Sequence, residues 1–321
     1  MKVIVTGGAG FIGSHLVERL LNNENMEVNK VTIIDNLSSG KKEHIIYLED
    51  KYGKKIEFIH GDIRDLNLLR QTFRDAEFVF HHAAMVSVNE SINNPLLFND
   101  VNVNGTINVL IAARDNEVRK VIYASSSAVY GDNKDQRKKE DSVLNPISPY
   151  GISKLSGEYY CRVFSKTYGL KTISLRYFNV YGSRQNSFSE YSAVIPKFIT
   201  NVLQDKSPVI YGDGKQTRDF VYVKDVVMAN ILAATKNVQG VFNIASGKET
   251  AIEEIANQIT KLLNKPHLSP IYKPPRKGDI RHSLSDISLA KSKLGFYPKH
   301  DISHGLKETI EYYKSIFERI K

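Results

Sequence analysis

The chain has 321 residues, 41% hydrophobic and 25% charged, which is enough for one large globular domain with a smaller one built onto it. Its formal net charge of +9 comes from basic residues spread along the whole sequence, so we expect a solvated surface and no nucleic-acid partner. The sequence shows no run of about 18 apolar residues, no signal peptide and a single cysteine, Cys161. These features favour a cytoplasmic protein without a membrane partner or an intrachain disulfide.

Strand-like and helix-like segments alternate through the first half of the chain. Short, apolar, β-branched runs predict buried parallel strands at 3–5, 31–34, 56–59, 78–80, 121–124 and 172–175. Helical segments are predicted over 11–20, 62–75, 99–116 and 149–167. This alternation is typical of a parallel sheet with helices on both faces. We therefore expect an α/β fold, doubly wound, of the Rossmann type.

The second half is more irregular and has two loop-rich stretches, 182–193 and 264–283, of which the latter carries most of this half's prolines. Further strands are predicted at 220–223 and 241–244, and amphipathic helices at 252–263 and 302–320. We expect residues 1–177, joined by parts of 208–246, to form a nucleotide-binding domain. Residues 178–321 are expected to form mainly a smaller, C-terminal substrate-binding domain.

A glycine-rich turn separates the first strand from the first helix. Gly7, Gly10 and Gly13 have the spacing that permits a tight turn, close approach of a pyrophosphate and close helix–strand packing. The N-terminus of the helix, at Phe11 and Ile12, then offers unpaired N–H groups to the phosphates. The sequence therefore predicts a dinucleotide-binding loop.

Carboxylates after the next two strands suggest how the adenosine half of that dinucleotide would be held. Asp35 ends the second strand, with Asn36 beside it, 22 residues after Gly13. A carboxylate there can accept both ribose hydroxyls and would repel a 2′-phosphate, so NAD is favoured over NADP. Asp62, followed by Ile63, either faces the adenine amino group or caps the next helix, and both roles can hold together.

Several motifs in order along nearly the whole chain resemble the extended short-chain dehydrogenases/reductases. They are the glycine pattern, Ala83-Ala84, Ser125-Ser126-Ser127, Tyr150-Gly151-Ile152-Ser153-Lys154, and the segments 176–182, 217–220 and 276–279. The resemblance implies an NAD-dependent enzyme that acts on a nucleotide sugar. It also implies that Ala83, Ala84 and Asn102 complete the cofactor pocket.

Tyr150 and Lys154 lie four residues apart, on one face of a predicted helix. A free phenol has a pKa of about 10, so the Lys154 ammonium and the positive nicotinamide ring would have to lower it. A lowering of about 3 units corresponds to roughly 4 kcal/mol. We expect Tyr150 to be the catalytic base, Ser126 to hydrogen-bond the reacting sugar oxygen, and Lys154 also to hold the nicotinamide ribose.

Three other conspicuous residues are interpreted as structural. His81 and His82 end the fourth strand without any spacing typical of metal ligands, so we predict no metal site. Cys161 lies on the same predicted helix as Tyr150 and is interpreted as a small core residue.

The resemblance also narrows the reaction. Dehydratases of this family carry an Asp-Glu pair just after the Ser or Thr of the fifth-strand motif, and UDP-glucuronate decarboxylases carry a Glu there. This chain has Ser127-Ala128, and neither can act as an acid. We therefore expect a UDP-sugar 4-epimerase that oxidises C4 transiently. A UDP-glucuronic acid 4-epimerase, with Arg184 or Lys197 near the carboxylate, and a non-catalytic NAD-binding regulator stay as alternatives.

Residues that would bind the substrate follow from the same resemblance. Asn179 would contact the sugar or its phosphate, and Arg218 and Arg276 the diphosphate, which suits guanidinium geometry. Asp279 would accept from the uridine ribose. Further implied contacts come from Ser87, Ala193 and Val194.

The choice of sugar depends on the size of two side chains. Ser283 stands where glucose-restricted epimerases often have a bulky Tyr, and Val86 stands where they tend to have Lys. We therefore expect room for a 2-acetamido group, and hence UDP-N-acetylglucosamine as a substrate, with UDP-glucose as a further one. In this family the helices over 99–116 and 149–167 commonly build a dimer's four-helix bundle, so a homodimer is expected.

Overall fold

The computed structural model describes residues 1–23, 26–186, 193–275 and 281–320. Its β-strands, in chain order, are β1 (Lys2–Thr6), β2 (Lys30–Asp35), β3 (Ile56–His60), β4 (Ala76–His81), β5 (Lys120–Ser126), β6 (Thr172–Tyr177), β7 (Asn179–Tyr181), β8 (Val209–Tyr211), β9 (Thr217–Arg218), β10 (Phe220–Tyr222), β11 (Gly240–Ile244), β12 (Thr250–Ala251), β13 (Ile271–Lys273) and β14 (His282–Ser283).

The α-helices are α1 (Phe11–Leu21), α2 (Lys42–Tyr52), α3 (Leu66–Thr72), α4 (Val88–Asn93), α5 (Pro95–Asn99), α6 (Gly105–Asp115), α7 (Pro149–Tyr168), α8 (Val194–Leu203), α9 (Val223–Thr235), α10 (Ile252–Leu262) and α11 (Ile302–Ile320). Short 3₁₀ turns occur at Gly53–Lys55 and Ser127–Val129, and π-helical turns at Asp100–Asn104 and Ala290–Leu294. Within the described ranges, no helix is long and apolar enough to cross a membrane.

A parallel sheet is built from strands within residues 2–177 and from β11. Its seven strands, in the described residues, run in the order β11-β6-β5-β4-β1-β2-β3, and every neighbouring pair is parallel. The order reverses at β1 and β4, as in doubly wound nucleotide-binding folds. The expected Rossmann-type α/β fold is confirmed.

Helices cover both faces of this sheet because its strands are apolar on both sides. Val3 and Val5 point into a core that includes residues of α1, α2 and α9, whereas Ile4 points into the opposite core, with residues of α3, α6 and α7. Alternate residues of one strand thus stabilise two separate layers.

A third core lies in the C-terminal part of the chain. It contains buried side chains of α8, α10, α11, β7 and β10, and Phe11 and Ile12 of the glycine-rich turn pack against it. Through these two residues the third core adjoins the start of α1. The proposed division into two domains stays a prediction.

Several predicted elements have different bounds. The helix predicted over 62–75 is α3, shorter at both ends, and the strand predicted at 220–223 stops at Tyr222 because Val223 begins α9. The segment predicted as one helix over 99–116 contains the π-helical turn Asp100–Asn104 before α6. Such turns are often found at functional sites, and this one carries Asn102.

Candidate functional site

The predicted site residues gather where the parallel strands end. The glycine-rich turn follows β1, Ala83 and Ala84 follow β4, and Ser126 ends β5 with its Cα paired to that of Tyr177 on β6. In open parallel sheets the crevice beside these carboxyl ends, at the reversal of strand order, is the usual place for a ligand.

The glycine-rich turn leaves no space for a side chain at Gly7 or Gly13. A Cβ on Gly7, whose φ is +73°, would lie 2.6 Å from the backbone nitrogen of Ala83, and one on Gly13 would lie 2.1 Å from the carbonyl oxygen of Gly7. Gly10 precedes α1 and provides no side-chain cap, so the N–H groups of the first turn keep their hydrogen-bonding capacity. A backbone of this shape fits a dinucleotide pyrophosphate.

Asp35 ends β2 beside the glycine-rich turn. Its buried carboxylate accepts hydrogen bonds from the backbone N–H groups of Ala9 (3.0 Å) and Leu37 (2.9 Å). A Cβ on Gly40 would lie 2.8 Å from the Asp35 Oδ1 atom, so the chain passes close to the carboxylate. Burial raises the pKa of Asp35, and the two N–H donors lower it. The arrangement fits the adenosine ribose of NAD.

The predicted helix cap at Asp62 is wrong. Asp65 is the N-cap residue of α3 and accepts from the backbone N–H of Leu68, because it, and not Asp62, directly precedes the first helical residue. Asp62 instead accepts from Arg64 and from the Asn36 side chain (2.9 Å). The hydrogen bonds from Arg64 hold the pKa of Asp62 at about 2.

Ile63, which was predicted to line the cofactor pocket, is buried. A Cβ on Gly105 would lie 2.5 Å from its Cδ1 atom, so its side chain packs directly on the start of α6. The carbonyl oxygen of Ile63 accepts from Asn108 (3.3 Å).

Helix α7 presents the predicted catalytic pair at the end of β5. Ser148 caps this helix by accepting from the backbone N–H of Gly151, and Pro149 occupies its first turn. Tyr150 is 9% exposed, and the nearby Ser126 side chain favours its ionised form. One turn later the buried ammonium of Lys154 donates to the carbonyl oxygen of Ala124, 2.9 Å away. The structure thus brings the three predicted catalytic residues together.

Lys154 is not among the groups of the protein that lower the pKa of Tyr150. Burial raises the pKa of Tyr150, whereas a lowering is predicted from Lys154 together with the nicotinamide ring, and the Ser126 side chain partly offsets the rise. The Lys154 ammonium points to Ala124, and burial lowers the pKa of Lys154 to about 8. Burial, which spacing along a helix does not reveal, is the reason for the difference.

The segment after β4 is attached to α7 through Asn102. The amide of Asn102 accepts from the N–H of Met85 (2.8 Å) and donates to the carbonyl oxygen of Met85 (2.9 Å) and to Ser153 Oγ (3.0 Å). Ser87 caps α4 by accepting from the N–H of Glu90, and Val86 is exposed. These contacts fix the chain beside Ala83 and Ala84.

The two histidines and the cysteine have the contacts of structural residues. The buried His81 ring lies between the hydroxyls of Thr6 (2.8 Å) and Thr106 (2.9 Å), and burial lowers its pKa well below the usual range. His82 contacts the Asn230 side chain at 3.2 Å, and burial lowers its pKa to about 4. Cys161 is buried in the α7 layer, which raises its pKa to about 12.

A cavity of about 280 Å³ lies between β7, α8, β8 and β9. Four predicted substrate residues line it: Asn179, Ala193, Val194 and Arg218. Gln216 and Tyr211 also line it but were not predicted, although Gln216 stands two residues before Arg218.

Ser283 lies one strand from the cavity. Its Cα is paired in parallel register with that of Arg218, so their side chains share a face of the small sheet β12-β9-β14. Arg276 and Asp279 lie outside the described residues.

The two basic residues considered for a uronate carboxylate differ in position. Arg184 forms an ion pair with Glu18 of α1, with 2.6 Å between Nη2 and Oε2, and its guanidinium lies over the Tyr47 ring. Lys197 lines the cavity. Only Lys197 is thus near the predicted substrate residues.

The family model described as the NAD dependent epimerase/dehydratase family matches residues 3–245. The chain is similar to the structure of UDP-N-acetylglucosamine 4-epimerase from Methanobrevibacter ruminantium M1 in complex with UDP-N-acetylmuramic acid, with a TM-score of 0.92, 44% identity and 98% of each chain covered. UDP-glucose 4-epimerase from Thermotoga maritima, solved with UDP-glucose, has a TM-score of 0.91 and 39% identity, covering 99% of this chain and 100% of that one. A UDP-N-acetyl-alpha-D-glucosaminuronate decarboxylase of Bacillus cytotoxicus is 36% identical over 328 residues, 98% of each chain.

Proposed function

Because the chain belongs to the NAD-dependent epimerase/dehydratase family, we propose that it is a UDP-sugar 4-epimerase acting on UDP-N-acetylglucosamine, on UDP-glucose or on both. The observation that carries this proposal is the Ser126–Tyr150–Lys154 group beside a strand end without an acidic residue. Relatives with the epimerase name bind or act on sugars of both kinds.

In the proposed reaction Tyr150 takes the proton of the sugar 4-hydroxyl, and Ser126 hydrogen-bonds the same oxygen. The Ser126 oxygen accepts from the Ala128 backbone N–H at 3.1 Å, and its own O–H can donate to the sugar oxygen. Lys154, held by Ala124, would donate to the nicotinamide ribose, and its charge together with that of the nicotinamide ring would favour the phenolate when NAD is bound. When bound, NAD would accept hydride from C4 and return it.

Two observations favour epimerisation over elimination or decarboxylation. Ser127 and Ala128 begin the 3₁₀ turn after β5, and neither has an acidic side chain to expel water or assist loss of carbon dioxide. The nearest carboxylate of α7, Glu158, is bound by Arg176 and Ser125 and is buried behind the strand end. It is therefore not available as a second acid.

The test is to incubate the protein separately with UDP-glucose, UDP-N-acetylglucosamine and UDP-glucuronic acid and to determine each product's configuration by NMR. A 4-epimer of the first or second sugar supports the proposal. A 4-epimer of the uronic acid alone would contradict the substrate class and indicate Lys197, which lines the cavity, as the carboxylate's partner. If no UDP-sugar reacts with NAD present, the epimerase assignment is wrong, and a regulatory NAD-binding role takes its place.

Ser283→Tyr is predicted to change the choice of sugar. The aromatic ring would project on the same sheet face as Arg218 and occupy space needed by a 2-acetamido group. We expect kcat/KM for UDP-N-acetylglucosamine to fall by roughly tenfold or more while that for UDP-glucose is retained. The control is Ser288→Tyr, the same substitution at an exposed site five residues on. Equal kcat/KM for the acetylated sugar in both variants would remove Ser283 from the specificity argument.

A homodimer is proposed from the surface of α7. Ile152, Tyr159, Tyr160 and Val163, which we name the α7 stripe, are exposed apolar or aromatic side chains at helical spacing, with Leu96 of α5 exposed as well. A second copy of the chain packing α7 against α7 would cover them.

Val163→Glu is therefore predicted to produce a monomer, because it places a charge in that contact. Val163 and Ile46 of α2 are both 47% exposed, so Ile46→Glu is a matched control that should stay dimeric. Molar mass is measured by light scattering after size exclusion. A dimeric Val163→Glu protein, or a monomeric wild type, would exclude the α7 stripe as the interface.

A further inference from the structure

Asp219, between β9 and β10, is a fully buried carboxylate with an unusual number of donors. It accepts from the Ser246 N–H (2.8 Å) and Oγ (2.6 Å), from the Gly247 N–H (3.0 Å) and from the Ser285 N–H (3.2 Å). The pKa of Asp219 is raised to about 6 by burial, although the donors act in the opposite direction. The group is therefore mainly ionised at neutral pH. Four donors therefore converge on one negative charge.

These donors come from segments that are far apart in sequence and that border the predicted sugar site. Ser246 and Gly247 follow β11, and Ser285 lies two residues after Ser283 on β14. Asp219 itself follows Arg218, and its carbonyl oxygen accepts from the backbone N–H of Asn179 at 3.1 Å. The segments that carry Arg218, Ser283 and Asn179 thus all bond to this one residue.

We propose, on the basis of the function proposed above, that Asp219 is the positioning residue of the sugar-nucleotide site, fixing Arg218 and Ser283 in one geometry. Its role is to set affinity for the diphosphate sugar and selectivity at the sugar 2-position. Binding groups need to be held within about 0.5 Å to be effective, and the two-residue pairing of β9 with β14 provides little constraint by itself.

The catalytic group is independent of this contact. Ser126 ends β5, and Tyr150 and Lys154 belong to α7, whereas the hydrogen bonds of the Asp219 carboxylate go to residues 246, 247 and 285. The glycine-rich turn after β1 is likewise separate from it. Weakening the hydrogen bonds of the Asp219 carboxylate should therefore raise KM for the UDP-sugar much more than it lowers kcat. It should leave NAD binding unchanged.

The test compares Asp219→Asn with Asp225→Asn. Asp225 is a buried carboxylate of the first turn of α9 that accepts from the N–H groups of Lys299 and His300, and from the His300 ring. Both variants lose an ionised acceptor of backbone N–H groups, so both should have a lower Tm. Only Asp219→Asn should raise KM and the Kd for UDP, by about tenfold to a hundredfold, because the segments that carry Arg218 and Ser283 are then held less firmly.

Ser246→Ala is the milder second variant if Asp219→Asn does not fold. It removes one of the four donors and keeps the charge, and it should raise the Kd for UDP by several-fold. UDP binding is measured by calorimetry, which does not require turnover, so failure of the epimerase assignment stays distinguishable. The inference is overturned if Asp219→Asn, or Ser246→Ala in its place, binds UDP as tightly as Asp225→Asn with the same KM and the same ratio of kcat/KM for acetylated and plain sugars.

Discussion

Tyr150→Phe is expected to lower kcat for 4-epimerisation by about a thousandfold or more while the protein keeps its fold and its NAD. The change removes one oxygen from a side chain that is 9% exposed, so the ring still fills its place in α7. What disappears is the group proposed to take the 4-hydroxyl proton. Product is measured by NMR, and bound NAD by its release after denaturation.

The control for this substitution lies on the same helix. Tyr168→Phe makes the same change in an exposed residue at the far end of α7, and wild-type turnover is expected. Turnover of Tyr150→Phe within about tenfold of that of the wild type would assign the proton transfer to another group. Loss of NAD in the variant would instead mean that the phenol is needed mainly for binding the cofactor.

Glu158→Gln is expected to reduce the free energy of unfolding by about 3–5 kcal/mol, the usual result of removing one partner from a buried ion pair. The Arg176 and Glu158 side chains are 3% and 4% exposed. Arg176 donates through Nε (2.9 Å) and Nη2 (2.8 Å) to the two carboxylate oxygens, and Ser125 donates to Glu158 Oε1. A glutamine presents an NH₂ group to one of these donors and leaves the guanidinium without a countercharge.

Urea denaturation measures this loss, and an exposed pair provides the comparison. Asp115 is paired with Arg70, whose side chain is 45% exposed. Asp115→Asn should therefore reduce the free energy of unfolding by less than about 1 kcal/mol. The double variant Glu158→Leu, Arg176→Met should be more stable than Glu158→Gln, because no buried charge is left unpaired. An equal loss at Glu158 and Asp115 would contradict the buried-pair interpretation.

Local patterns in the sequence predicted the elements and the motifs that depend on neighbouring residues. Apolar runs predicted the strands of the parallel sheet. The spacing of Gly7, Gly10 and Gly13 predicted the tight turn, in which a side chain at Gly7 or Gly13 would clash with the backbone. The four-residue separation of Tyr150 and Lys154 placed both on one face of α7.

Contacts between distant segments could not be predicted in this way. Nothing near Asp219 in the sequence points to Ser246 or Ser285, and nothing near Glu18 points to Arg184. The predicted cap at Asp62 failed because Asp62 and Asp65 both stand before the same helix, and only the start of α3 distinguishes them. Burial, which raises the pKa of Tyr150, is also a property of the folded chain alone.

The return of β11 to the central sheet has a consequence for cutting the chain. A fragment ending at residue 177 would lack β11, so β6 would become an edge strand with unpaired N–H and C=O groups along its length. Ile173 and Leu175 of β6 are completely buried, and α9, which covers them from beyond residue 222, would be missing too. Such a fragment would expose an apolar edge strand and would aggregate. The nucleotide-binding half therefore cannot be excised at that point.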